Sequence, residues 1–126
     1  MTTGPLSSRQ RAKLQRMFAT PFAKIYPLYL TKVLKKNRTE AELRSVISWL
    51  TGYNGSALDG CIGSGESLTE FFAGATLNAN SDLITGMVCG VKVQEVEDPL
   101  MREIRYMDKL VDELSQGKSL VQILRS

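Results

Sequence analysis

Apolar residues recur at intervals of three and four along most of the chain, the spacing that places side chains on one face of an α-helix. The pattern is strongest near the C-terminus, where Asp98 and Pro99 provide a helix start and Gly117 provides a helix end. We expect one further turn, at residues 120–124, to fold back onto this helix. The apolar positions of the long helix are Leu100, Ile104, Met107, Val111 and Leu114.

Two capping boxes mark further helix starts, because in each box a Ser or Thr and a Glu satisfy two otherwise unbonded backbone N–H groups. The box at residues 39–42 begins a helix that ends at Gly52. The box at residues 67–70 begins a short helix that ends near Gly74. Residues 21–36 also have helical spacing.

Pro27 interrupts the pattern of residues 21–36, because proline lacks an N–H and disfavours the helical conformation of the residue before it. The helix is therefore expected over residues 28–36, with a turn or kink before it.

Two stretches are harder to assign. Residues 53–67 are rich in glycine and small residues, which favours a loop with at most one helical turn and a mobile tip. Residues 83–91 follow a helical spacing, and Gly86 and Gly90 would allow another helix to approach closely. The string VKVQEV, residues 91–96, would also suit a strand.

Together these elements predict an all-α fold, a small orthogonal bundle of about five helices in a single domain. Residues 99–116 should pack across residues 28–36 and 40–51. The alternative is an α+β fold with a short strand near 88–96. A chain of 126 residues is long enough to bury the core of one domain.

The amino-acid composition excludes several kinds of catalytic and metal site. The chain has no histidine, which excludes histidine-based catalytic triads and histidine zinc sites, and we expect neither a metal nor a cofactor. Its two cysteines, Cys61 and Cys89, are too few for a disulfide scaffold, and free thiols suit the cytoplasm. Cys89 lies among apolar residues, where we expect it to fill space in the core as a small apolar side chain. Charged residues interrupt every long apolar stretch, so we expect neither a membrane-spanning helix nor a secretory signal.

Charge is distributed very unevenly. Residues 1–38 contain nine basic residues and no acid, whereas the remainder contains seven basic residues and all thirteen acids. Such asymmetry is typical of polyanion-binding arms, of transit peptides, or of two halves of a fold that attract each other. We expect residues 1–17 to form a basic arm, disordered over 1–8 and partly helical from residue 9, ahead of a helical domain at 18–126. The candidate polyanion-binding residues are Arg9, Arg11, Lys13 and Arg16.

Other candidate sites are weaker. The glycines of residues 60–67 resemble a phosphate-binding loop but lack its Gly-Lys-Ser/Thr ending, and a flexible connection is favoured. The acids Glu95, Glu97 and Asp98 suit a helix N-terminus better than a metal. Five aromatic residues could line a ligand pocket or simply edge the core: Tyr26, Tyr29, Trp49, Tyr53 and Tyr106.

Three strings carry a family resemblance: PFAKIYPLYLTK at residues 21–32, WLTGY at 49–53 and CGVKVQEVEDPLMREIRYMDKLVDEL at 89–114. They resemble a family of short, mostly bacterial proteins called domain of unknown function 2200. The resemblance covers residues 18–126 and implies a mainly helical orthogonal bundle, with no activity, cofactor or catalytic residue attached. The glycine-rich residues 60–65 depart from the family pattern.

Three hypotheses on function follow. The first is a non-enzymatic binding module whose basic N-terminal part contacts an acidic partner or nucleic acid. The second is a small enzyme or ligand-binding protein with a site near Trp49, Tyr53 and residues 95–98. The third is a self-associating structural protein, in which the long helix makes a symmetric homodimer interface.

Overall fold

The computed structural model describes residues 7–125 and is mostly helical. Two short strands, β1 (Met87–Val88) and β2 (Val91–Lys92), pair antiparallel in a hairpin between two 3₁₀ turns. The predicted helical fold is confirmed, and so is a short strand near 88–96. The helices of the described range are α1 (Ser8–Ala19), α2 (Phe22–Leu34), α3 (Glu40–Thr51), α4 (Gly55–Gly63), α5 (Leu68–Ala73), α6 (Pro99–Ser115) and α7 (Leu120–Ile123).

Helix α6 is the centre of the bundle. It packs against α2, α3, α5, α7 and β1. The contacts with α2 and α3 were predicted. Leu110, Val111 and Leu114 on its inner face are almost completely buried. The Asp98 side chain accepts a hydrogen bond from the backbone N–H of Met101 at 2.9 Å, so the predicted helix start is confirmed.

Both predicted capping boxes are present. Thr39 accepts from the backbone N–H of Glu42, and Ser67 accepts from that of Glu70, each at 3.1 Å. Helix α3 ends at Gly52, whose φ of 76° is the left-handed conformation that favours glycine. Local sequence therefore determines where α3 and α5 begin.

The expected helix start at residue 28 is wrong, because α2 begins at Phe22 and is continuous through Pro27. Phe22 is fully buried and Tyr26 is only 4% exposed. Burial of two such rings contributes about 1.5–3 kcal/mol each, enough to offset the roughly 3 kcal/mol cost of a proline inside a helix.

The expected loop at residues 53–67 is also wrong over most of its length, because α4 occupies its middle. Asn54 caps this helix by accepting from the N–H of Ala57 at 2.8 Å. Leu58 and Cys61 point into the core between α2 and α3. Their burial offsets a low helix propensity, since an interior glycine such as Gly60 costs about 1 kcal/mol.

The favoured helix at residues 83–91 is wrong, and the strand alternative is confirmed only for short segments, since residues 93–95 form a 3₁₀ turn. Cys89 and Gly90 have φ angles of 50° and 79°, and both occupy the centre of the two-residue turn between β1 and β2. A turn with two positive φ angles matches the twist of a hairpin and excludes a right-handed helix. Gly86 has a φ of 108°, and a Cβ atom there would lie 3.2 Å from the side chain of Lys109 on α6, so a helix residue does approach this glycine closely.

The N-terminal arm is helical where it is described. Ser7 caps α1 in a box with Gln10 that we did not predict, and α1 continues across the expected boundary at residue 17. The disorder expected for residues 1–8 falls mostly outside the described range. No helix within residues 7–125 is long and apolar enough to cross a membrane.

Candidate functional site

Helix α1 is attached to the body through one face. Its apolar residues Leu14, Met17 and Phe18 are partly buried and pack against the core, where α1 contacts α5. At its C-terminal end, the backbone N–H of Leu68 donates to the carbonyl of Thr20 at 2.9 Å. The helix therefore has a fixed inner face and a fixed outer face.

The outer face of α1 is basic. Arg9, Lys13 and Arg16 are exposed and follow one another at intervals of four and three, which places them within about 60° on the helix surface. We call these three residues the α1 stripe. Their side chains make no hydrogen bond or ion pair with any other residue of the range 7–125, and α1 contains no acid. Arg11, the fourth predicted residue, is also exposed but lies on a different side of the helix.

Like charges at such spacing destabilise a helix by about 0.2–0.5 kcal/mol per pair. The stripe contains two such pairs, Arg9 with Lys13 and Lys13 with Arg16. Within residues 7–125, no carboxylate lies within salt-bridge distance of these three cations. A bound polyanion would compensate for the repulsion, because phosphate or carboxylate groups would lie between the cations.

Most other basic side chains make hydrogen bonds or ion pairs within the fold. Arg38 donates to Glu42 at 2.8 Å and to the carbonyl of Lys118 at 2.7 Å, which joins the start of α3 to the end of α6. The hydrogen bond from Arg38 lowers the pKa of Glu42 to about 2. Lys32 pairs with Asp112 at 3.1 Å, across the contact between α2 and α6. These cations hold elements together, unlike those of the α1 stripe.

The tyrosines of α2 are core residues with bound hydroxyl groups. Tyr26 donates to Glu40 at 2.6 Å, and Tyr29 donates to Asp108 on α6. Burial, and then the neighbouring Glu40 carboxylate, raises the pKa of Tyr26 to about 12. Burial and Asp108 likewise raise the pKa of Tyr29 well above its usual value. Both phenols are neutral at pH 7 and connect α2 to its neighbours.

The other predicted pocket residues lie on separate elements. Trp49 of α3 and Tyr53 are half-buried at the edge of the core, whereas Tyr106 of α6 is buried. Tyr53 donates to the carbonyl of Phe71 at 2.7 Å, and burial raises its pKa to about 12. Their burial and the Tyr53 hydrogen bond are those of residues that pack at the core. A ligand pocket among the five aromatic residues stays a prediction.

The two thiols differ. Cys61 is buried in α4, and its burial, followed by a hydrogen bond with Glu66, raises its pKa to about 11, which keeps it protonated. Cys89 is exposed at the hairpin turn, with its sulfur 3.9 Å from an oxygen of Asp108. The expectation that Cys89 is an apolar filler is therefore wrong, because the turn directs it away from the core.

A surface cleft of about 470 Å³ lies beside the hairpin. It includes Glu95 but none of the five predicted aromatic residues. Within residues 7–125, no group of three Cys, Asp or Glu side chains is arranged to hold a metal ion. In the glycine-rich stretch, Ser67 uses its side chain to cap α5, as an ordinary helix start does.

Two features of the surface were not predicted from the sequence. Asp108 receives hydrogen bonds from both Tyr29 and Arg105, and only the fold brings Tyr29 near it. Leu28 is 66% exposed on α2, and although the apolar spacing of residues 21–36 leaves it out of the core face, it was not proposed as a site. The sequence could have indicated the exposure of Leu28, because Lys24 and Lys32 lie four residues before and after it on the same helix face. It gave no corresponding indication for Asp108.

Comparison with known proteins concerns the fold. The family model described as "Uncharacterized protein conserved in bacteria (DUF2200)" matches residues 16–125. The crystal structure of "uncharacterized protein SP1917" is similar, at 39% sequence identity and a TM-score of 0.83, over 87% of this chain and 91% of that one. None of the curated proteins compared with the chain matches it. Arg9, Arg11 and Lys13 lie outside the matched residues.

Proposed function

This chain belongs to the bacterial family DUF2200, and we propose that it is a non-enzymatic binding module whose basic N-terminal helix holds a polyanion, with nucleic acid as the first candidate. Because the family match begins at residue 16, most of the α1 stripe precedes it. The proposed activity is accordingly assigned to this chain and not to the whole family.

One observation carries the proposal: the α1 stripe presents three cations on one face of an anchored helix without any acid nearby on that helix. Arginine and lysine side chains in such a row can contact successive phosphates without reading base sequence. Anchoring by Leu14, Met17 and Phe18 fixes the direction in which the row points. A solvated tail would not need that apolar anchor.

The enzyme hypothesis has less support. Tyr26, Tyr29 and Tyr53 already donate their hydroxyl protons within the protein, and their pKa values are raised, so none is a ready base near pH 7. The Cys61 thiol is held protonated by burial. We also propose a cytoplasmic location, which suits two free cysteines.

The test is fluorescence anisotropy of a short labelled DNA and a short labelled RNA over a range of salt concentrations. The variant Lys13→Gln/Arg16→Gln should weaken binding, and the slope of log K against log salt should become shallower by about two, since each phosphate contact contributes about one. Both residues are exposed, so the fold should be retained.

The matched control is Lys35→Gln/Lys36→Gln, which removes the same charge from two exposed positions at the end of α2. It should leave the salt slope nearly unchanged. Equal weakening by both double variants would show that net charge alone attracts the nucleic acid. Absence of salt-dependent binding by the unaltered chain would overturn the proposal.

A further inference from the structure

The outer face of α2 combines one large exposed apolar residue with exposed lysines. Leu28 is 66% exposed, more than any other leucine in the described part of the chain. Lys24, Thr31 and Lys35 are exposed and lie at positions −4, +3 and +7 relative to it. We call these four residues the α2 stripe, because their spacing places them within about 60° on the helix surface.

This stripe is not used by the rest of the fold. The side chains of Lys24 and Lys35 make no hydrogen bond or ion pair with any residue between 7 and 125, whereas Lys32 beside the stripe pairs with Asp112. Helix α2 buries Phe22, Tyr26, Tyr29 and Val33, and Leu28 presents one apolar side chain on the opposite face. An apolar anchor ringed by cations is complementary to an apolar pocket ringed by carboxylates.

The arrangement of charges and apolar residues indicates the class of partner. A second copy packed symmetrically on the α2 stripe would place Lys24 against Lys35, and like charges would repel. A membrane surface would need several apolar residues on one side, but Leu34, also exposed, lies about 120° away from Leu28 around the helix. Phosphate contacts in nucleic acid would use the lysines and leave Leu28 in water.

We propose that the α2 stripe is the docking site for an acidic amphipathic helix of a partner protein. Leu28 inserts between apolar residues of that helix, and Lys24 and Lys35 pair with carboxylates on either side. In this helix-to-helix contact a single leucine is the apolar anchor on α2, and the flanking lysines set the orientation of the partner helix. The site is separate from the α1 stripe, and neither proposal requires the other.

The probe is a fluorescein-labelled synthetic peptide of roughly 16 residues, about four helical turns, with leucines along one face and glutamates elsewhere. Its anisotropy is titrated with the full chain. The variant Leu28→Ser should weaken binding about tenfold, as expected when a central apolar anchor is lost. The matched control is Leu83→Ser, since Leu83 is 56% exposed on a different element, and it should change affinity less than twofold.

A second variant, Lys24→Gln/Lys35→Gln, should weaken peptide binding mainly at low salt. The α1 variant Lys13→Gln/Arg16→Gln should leave peptide binding nearly unchanged, which distinguishes the two sites. Equal effects of Leu28→Ser and Leu83→Ser, or no binding of the peptide, would overturn the inference. So would a Leu28-dependent interaction with labelled duplex DNA or with anionic phosphatidylserine vesicles in place of the peptide.

Discussion

Helices α1 and α6 are both amphipathic and both begin at a capping side chain, but they use their charges in opposite ways. On α6, Arg105 pairs with Asp108 at 2.9 Å, and Asp112 pairs with Lys32 of α2. On α1, the stripe has no such partner in the described range, and no residue of the helix is fully buried. α6 is therefore a structural centre, and α1 is an attachment with an open face.

A charged side chain can be assigned a function only once its partners within the fold are known. Glu113 of α6 is 2% exposed and would be a candidate site in isolation. Arg125 contacts it through both guanidinium nitrogens, at 2.7 and 2.8 Å, and Lys118 lies 3.6 Å away. This buried carboxylate fastens the C-terminal segment to α6, so its role is structural.

The largest effect should come from equivalent truncations in the two helices. Leu110→Ala on α6 should lower the free energy of unfolding by about 2–5 kcal/mol, because Leu110 is 1% exposed and its removal leaves a cavity. Leu14→Ala on half-buried α1 should cost about 1 kcal/mol. Urea unfolding followed by circular dichroism measures both. Equal losses would mean that α1 is as much part of the core as α6.

Breaking a paired charge should come next. Arg125→Gln should destabilise the chain by about 3 kcal/mol, since it removes the bidentate partner of a buried carboxylate. Lys92→Gln should change stability by less than about 0.5 kcal/mol, because its pair with Glu95 is exposed on both sides. Thermal unfolding compares the two. A small loss for Arg125→Gln would contradict the structural role of the Glu113 cluster.

Tyr26 links stability to alkaline pH. Tyr26→Phe should cost about 1 kcal/mol at pH 8 through loss of the hydrogen bond to Glu40. Because folding raises the pKa of Tyr26 from 10.0 to about 12, its protonated form favours the folded state, and that contribution declines as the pH rises from 10 to 12. The difference between the unaltered chain and the variant should shrink over this interval. A constant difference would contradict the raised pKa.

The smallest effect should have the opposite sign. Replacing all three residues of the α1 stripe by glutamine should stabilise the free protein by a few tenths of a kcal/mol at low salt, because two repulsive pairs disappear. Added salt should remove the gain by screening the same repulsion. Destabilisation would show that these cations have partners within the fold.

The sequence predicted the elements whose ends depend on local chemistry. Capping boxes at Thr39 and Ser67 and the Asp98 start located α3, α5 and α6 correctly. The α4 helix was missed because its glycines disfavour a helix, while the burial of Leu58 that stabilises it comes from tertiary packing. The strand near 88–96 was only the second choice because its apolar spacing also fits a helix, and the hairpin turn was missed because positive φ at Cys89 has no strong signal in the sequence.

For the candidate site, local spacing indicated which residues are exposed but not which ones they contact. The exposed positions of Arg9, Lys13 and Arg16 could be anticipated from their helical spacing. The partners of Tyr29 and Lys32 could not, because Asp108 and Asp112 lie 79 and 80 positions away in the chain. Whether a charged or aromatic residue is free or already bound depends on such distant pairings.

The most direct test of the account is to map the backbone amides of the ¹⁵N-labelled chain by NMR while a short duplex DNA is added. If α1 carries the binding surface, salt-sensitive shift changes should be concentrated in α1, around Arg9, Lys13 and Arg16, with α6 little affected. Changes centred instead on the cleft beside the hairpin or on Trp49 and Tyr53, or no changes at all, would contradict the claim that α1 carries the binding surface.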